Sequence, residues 1–267
     1  MTNNILTQLK QLYQEAFPED SDAFRDYFFE TFDTRDCYPL IEYGRVNAMA
    51  YVVRKPCILG KKQVNLPFIV ALATRDSVKR RGKASMLMEE ILSDLQDKGE
   101  LFVALYPAVG HDFYAKFGFE TISFMQEKHV TRNARNTVKV EVIKVADFER
   151  LDKINKKFFS KFDNFFIYNE TVIKRLFAEY SAEDINLCIV IRDSNDMAYC
   201  FVDDKEKELN HVIGCYDSVD SVKEWTGYKY LVTSDDAGEH CQFKAICANE
   251  KDIKQLRKAK NFFIDKY

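Results

Sequence analysis

The chain has 267 residues, enough for one large domain or two of ordinary size, with a core that needs neither disulfides nor metals. Its 39 basic and 42 acidic residues leave a net charge of −3, which excludes a global field aimed at nucleic acid or an acidic membrane, so any anion site must be local. Seven cysteines without a C-x-x-C pair and four scattered histidines argue against a disulfide framework or a zinc cluster, and for reduced cysteines acting as small hydrophobes in a cytoplasmic protein with no metal site.

The N-terminus is polar and leads into an amphipathic pattern, so no signal peptide is expected. Leu6, Leu9, Leu12 and Tyr13 share one helical face, and Ser21 is placed to cap a second helix carrying Phe24, Tyr27, Phe28 and Phe32. Strands are predicted over residues 38–43 and 48–53, with Gly44-Arg45 as the turn between them. Residues 66–73 form the longest apolar run, too short to cross a bilayer, and read as a buried central strand. A basic loop follows, then a helix with Ala84, Leu87, Met88, Ile91, Leu92 and Leu95 on one face, stopped at Gly99. Residues 101–105 give another buried strand, a short helix surrounds Phe113–Phe117 and closes at Gly118, and residues 119–124 supply a last strand.

All five prolines lie at or before Pro107, and neither Gly nor Pro occurs between Phe119 and Ile213. The polar residues 131–136 are the expected linker between a domain over 1–130 and a second α+β domain over 137–267. The second part repeats the element order loosely. Val138, Val140 and Val142 alternate as a strand, and helices start at Asp147 and at Asn169, the latter with Val172, Leu176 and Phe177 inward. Strands are predicted over 186–192, 197–202 and 209–216, a short helix from Ser218, a strand over 243–247 and a basic amphipathic helix at the end. That order suggests a degenerate second copy of the first domain.

The segment that carries chemistry runs from Ala71 to Ser85: a buried strand, a basic loop with one glycine, and the first turn of an amphipathic helix. Free backbone N–H groups and a positive dipole at a helix start form an anion site, and small residues at 82, 84 and 85 let a pyrophosphate approach the main chain. Cations are disfavoured in a helix's first turn, yet Lys79, Arg80, Arg81 and Lys83 crowd there, a conflict that a bound polyanion resolves. The competing reading is a solvated basic run; the buried strand before it favours a site. Neither the phosphate-binding G-x-x-x-x-G-K-[ST] spacing nor the dinucleotide G-x-G-x-x-G is present.

Residues 79–84 resemble the acyl-CoA loop of the GNAT acetyltransferases, R/Q-x-x-G-x-G/A. Gly82 and Ala84 match, and Lys79 stands where Arg or Gln is usual. A second signature follows over 104–119, ending Phe-Tyr-x-x-Phe-Gly-Phe. The pair most resembles the branch typified by the mycobacterial enhanced intracellular survival (Eis) acetyltransferases, which join a GNAT domain to a GNAT-like one and then to a sterol-carrier-like third, here expected to be missing. The resemblance implies an α/β (α+β) fold with a central mixed sheet flanked by helices, plus a second, degenerate GNAT-like domain.

It also implies acetyl-CoA as co-substrate and direct attack by a primary amine on its thioester. Backbone groups of Leu72, Ala73 and Thr74 would hold the pantetheine arm, with the N–H of Leu72 stabilising the oxyanion. The loop Lys79, Arg80, Arg81, Gly82, Lys83, Ala84 and Ser85 would bind the pyrophosphate, cradled by the N–H groups of 80–84. Tyr114 would protonate the departing thiolate; Phe113 and Phe117, one helical turn apart, suit the core and leave Tyr114 on another face. Glu42 and a water relay are equal candidates for the base, and none is assigned. Small amines, aminoglycoside-like polyamines and protein lysines are all open as acceptors, with no nucleic-acid or membrane partner expected. The second part has an acidic segment from Gly214 instead of a basic loop, so it is expected to bind no CoA and either to wall the acceptor cleft or to make a homo-oligomer contact. The rival is a non-catalytic acyl-CoA-binding or regulatory module; a peptidyltransferase using aminoacyl-tRNA lacks a basic groove.

Overall fold

A computed structural model describes residues 3–107, 110–131, 137–144, 147–234, 241–259 and 261–262. In the first half, α1 spans Asn3–Ala16 and α2 Asp22–Thr31, followed by β1 (Cys37–Glu42), β2 (Arg45–Leu59), β3 (Lys62–Thr74), α3 (Lys83–Asp97), β4 (Phe102–Leu105), α4 (His111–Ala115), β5 (Glu120–Thr121) and β6 (Phe124–His129). The second half contains β7 (Lys139–Ile143), α5 (Phe148–Phe159), β8 (Asn164–Phe166), α6 (Glu170–Ala182), β9 (Asn186–Arg192), β10 (Asn195–Asp203) and β11 (Glu208–Gly214). It ends with α7 (Tyr216–Val219), β12 (Lys229–Ser234), β13 (Gln242–Ala245), α8 (Glu250–Lys258) and β14 (Asn261–Phe262).

Local chemistry sets many of these boundaries. Ser21 Oγ accepts from the Phe24 N–H at 3.0 Å and starts α2; Asn169 Oδ1 accepts from the Val172 N–H at 3.0 Å and starts α6. Gly99 (φ +70°) closes α3: its N–H donates to the Gln96 carbonyl and that of Glu100 to the Leu95 carbonyl, the paired bonds of a Schellman stop. Two-residue turns with positive φ at both positions join β1 to β2 (Tyr43-Gly44), β2 to β3 (Gly60-Lys61) and β9 to β10 (Asp193-Ser194).

Three expectations shift. The strand predicted over 119–124 breaks at Ile122-Ser123 into β5 and β6. The strand predicted over 48–53 extends through Leu59, because the Gly60-Lys61 turn pairs its far end with β3. The inward face of α6 is Ile173, Leu176 and Tyr180, with Val172 and Phe177 only partly buried.

The described residues fall into two compact units, one made of those within 3–122 and 241–258, the other of those within 123–234 with 259 and 261–262. Residues 132–136 of the expected linker lie outside the described residues. The sheet of the first unit runs β1-β2-β3-β4-β13-β5, antiparallel except for the parallel β3–β4 pair. Successive side chains of β2 point to opposite faces. Ala48, Ala50 and Val52 meet Leu87, Met88, Ile91 and Leu95 of α3, and Tyr51 meets Phe28 of α2 with ring centroids 5.1 Å apart. Helices therefore cover both faces, which is why β2 and β3 read as continuous apolar runs.

The second unit's sheet runs β6-β12-β11-β10-β9-β7, again with one parallel pair, β11–β12; β8 and β14, also of this unit, pair in parallel with each other. Its core includes Cys188, Val190, Cys200, Val202, Val219 and Trp225.

The two sheets share one irregularity at the same place. In β3, Ala71 and Leu72 together face Ala50 of β2, and Ala71 is left-handed at φ +52°. In β11, His211 and Val212 together face Cys200 of β10, and His211 is left-handed at φ +49°. The parallel neighbour pairs only two residues in each case, Phe68 and Ile69 with β4, Glu208 and Leu209 with β12. Those pairs sit three and two residues before the left-handed position in both units.

All seven cysteines are thiols. Cys37, Cys57, Cys188, Cys200 and Cys241 are buried, and burial pushes the Cys37, Cys57 and Cys188 thiols up to about 12. Among the described residues no helix is long and apolar enough to cross a membrane.

Candidate active site

The first unit's bulge sets the site's geometry. An extra residue in one strand bends it and raises its twist. Beyond Ile69, β3 continues for five residues to Thr74 paired only with β2 among the described residues, and β4 ends at Leu105. The two parallel strands therefore diverge. Leu72, Ala73 and Thr74 lie on the diverging segment, with Leu72 partly buried against the cluster that also contains Tyr114.

A single turn of 3-10 helix, Asp76–Val78, then leads to the basic loop, which the sequence did not reveal as ordered. Arg80 (φ +61°) and Gly82 (φ +76°) are left-handed and Arg81 between them is not. Such alternation forms a concave row of N–H groups suited to anions. Helix α3 starts at Lys83, and the first N–H groups of a helix have no partner within it. No atom comes within 4 Å of a Cβ built on Gly82, so this backbone faces open space.

The cations divide into two pairs. Lys79 Nζ meets Asp76 at 2.5 Å, and Lys83 Nζ meets Glu42 Oε1 at 2.5 Å. Arg80 and Arg81 are exposed and make no ion pair among the described residues. Protein carboxylates thus already neutralise Lys79 and Lys83, so the excess positive charge expected at this helix start comes down to the two arginines.

Glu42 ends β1. It accepts from Lys83 and from Asn47 Nδ2 at 2.7 Å, and these hydrogen bonds hold its carboxyl below the usual carboxylate range. A carboxylate so satisfied is a poor proton acceptor. Arg75, buried at the junction of β3 and the loop, donates from Nε to the Val46 carbonyl at 2.8 Å, from Nη2 to the Gln8 carbonyl at 3.3 Å and from Nη1 to Glu15 at 3.1 Å. Glu15 also accepts from the Asp76 N–H at 2.5 Å. Helix α1 is thereby tied to the root of the loop.

Tyr114 lies in α4 and is only 3% exposed, within the cluster of Ala48, Leu87, Met88, Ile91, Val103, Leu105 and Phe119. Phe113 and Phe117 are the partly buried pair. The expected orientation of this helix is therefore reversed: Tyr114 takes the inward position, because a five-residue helix closed by Gly118 turns one residue, not two, into the core. His111 Nδ1 accepts from Gln242 Nε2 at 2.9 Å, and Cys241 Sγ lies 3.5 Å from the Leu105 carbonyl. Strand β13 thus steadies both β4 and the start of α4. Sequence reasoning missed this contribution, since 131 positions separate His111 from Gln242.

Residues 1–122 match the acetyltransferase (GNAT) domain family. No curated protein matches the sequence. Among solved structures, a conserved protein of Enterococcus faecalis V583 superposes with a TM-score of 0.71 at 12% identity, covering 92% of this chain and 72% of that one. A GCN5-related N-acetyltransferase from Kribbella flavida gives 0.65 at 14% identity, with 92% and 71% covered. Eis1 from Mycobacterium abscessus gives 0.63 at 10% identity, with 92% and 73% covered. These likenesses extend the shared fold over both units, while the match to the GNAT acetyltransferase domain covers residues 1–122, just under half of the chain.

Proposed function

We propose that the first unit transfers an acetyl group from acetyl-CoA to a primary amine, and that the chain stands in the Eis-like branch of these enzymes. The observation that carries this reading is the bulged end of β3 diverging from β4, directly before a left-handed, N–H-rich turn at a helix start. A strand that has lost its neighbour keeps donors and acceptors for an extended amide-bearing arm, which suits the pantetheine against Leu72, Ala73 and Thr74. The N–H groups of 80–84 and the side chains of Arg80 and Arg81 suit the pyrophosphate, with Lys79, Lys83 and Ser85 flanking it.

In the reaction the neutral amine attacks the thioester carbonyl, and the Leu72 N–H holds the oxygen as it becomes an oxyanion. Collapse of the tetrahedral intermediate breaks the C–S bond, and the Tyr114 phenol gives its proton to the thiolate. No side chain is assigned as base, because Glu42 is committed to Lys83 and Asn47; water carries the amine's proton away. The repeated bulge in the second unit supports the tandem arrangement of the Eis-like branch.

The first test is calorimetric titration of acetyl-CoA into the protein and into Gly82→Glu, with turnover measured for Tyr114→Phe. Binding should be lost only in the glycine variant. Tyr114→Phe keeps the buried ring, so turnover should fall roughly 100-fold with acetyl-CoA affinity unchanged. An unchanged rate removes the acid's role from Tyr114. Tight binding without turnover on any amine favours the acyl-CoA-binding module instead.

A further inference from the structure

The second unit lacks a basic loop after its bulge, yet cations from other elements gather there. A cavity of about 650 Å³ opens beside Gly214 and Cys215, just past the end of β11. Its polar wall comes from Lys153, Lys157 and Lys161 along and beyond α5, and from Arg192 at the β9–β10 turn; Ile154, Phe158 and Met197 supply an apolar wall. This volume lies within the range of small-molecule sites.

The charges do not cancel. Lys153 pairs with Glu149, and Asp196 is held by Arg150 through two bonds of 2.8 Å. That leaves Lys157, Lys161 and Arg192, without ion pairs among the described residues, against Asp193 alone. Lysines in a last helical turn complement the helix dipole, which accounts for Lys157 but not for Lys161 or Arg192, which lie outside α5. The Lys161 ammonium sits over the Phe158 ring at 4.2 Å from its centroid and lies 5.7 Å from that of Tyr216. The side chain as a whole is exposed, but the rings take water from one side of its ammonium, and this partial desolvation lowers its pKa. A bound anion would restore the lost stabilisation.

We propose that this cavity is a second ligand site, taking a small molecule with a diphosphate or similar polyanionic group, its apolar part against Phe158 and Met197. Several cations on separate elements favour a polyanion over a single carboxylate. The site lies wholly within the second unit and is independent of the acyl donor's place in the first.

Inorganic pyrophosphate is the probe, used on the full chain. Exposed lysines are acetylated briefly with acetic anhydride and mapped by mass spectrometry, with and without pyrophosphate. Labelling of Lys157 and Lys161 should fall several-fold while that of Lys174, paired with Glu170 on α6, stays constant. The same protection should appear in Gly82→Glu, and Lys157→Glu should remove the protection of Lys161. Unprotected lysines at saturating pyrophosphate overturn the proposal, as does protection that vanishes in Gly82→Glu.

Discussion

Gly82 and Gly214 both hold positive φ, for different physical reasons. At Gly82 the surroundings are open, so an alanine would meet only the left-handed penalty, on the order of 1 kcal/mol. At Gly214 (φ +127°) an added Cβ would lie 2.4 Å from the Met197 carbonyl oxygen and 2.6 Å from the Ala198 Cα. These are backbone atoms of β10 and cannot rotate away. Gly214→Ala should therefore cost about 2–4 kcal/mol in chemical denaturation. A loss under about 0.5 kcal/mol would mean that β10 and β11 separate freely. Both glycines are visible in the sequence, and Gly82 stood out by its basic neighbours. The tight fit at Gly214 was invisible, because it depends on how closely a neighbouring strand approaches.

At the scale of elements, the bulge of β3 is the feature on which the site depends. Ala71 takes a left-handed conformation that costs an L-residue roughly 1–2 kcal/mol, against roughly 0.5–1 kcal/mol for the extra chain entropy of glycine. Ala71→Gly should accordingly leave stability unchanged or raise it by up to about 1 kcal/mol and preserve turnover. Ala71→Val should lower the melting temperature, since a β-branched side chain tolerates positive φ poorly. Destabilisation by glycine would show that position 71 is not left-handed in solution. Helix α3 was legible from end to end, with its apolar face and its Gly99 stop. The bulge was not, for alanine carries no sign of the conformation that pairing with β2 imposes.

Over the whole molecule, each sheet takes a strand from the other half of the chain. β6 follows β5 in sequence but pairs with β12 in the second unit, and β13 follows β12 but lies between β4 and β5 in the first. A fragment of residues 1–130 lacks β13, so β4 would present an unpaired edge and α4 would lose Gln242. Such a fragment should show no cooperative thermal transition and bind no acetyl-CoA, measured by circular dichroism and calorimetry. A fragment that melts cooperatively and binds would make the exchange dispensable.

By itself the sequence determined the helices, the central strands, the cap at Ser21, and the basic loop with its resemblance to an acyl-CoA cradle. These are local matters, decided by side-chain periodicity, capping chemistry and charge over a few neighbouring residues. Tertiary structure alone decided that Tyr114 points inward, that Glu42 neutralises Lys83, that β13 completes the first sheet, and that lysines of α5 line a cavity beside Gly214. Each of those depends on residues far apart in the chain, and strand pairing, not residue type, brings them together.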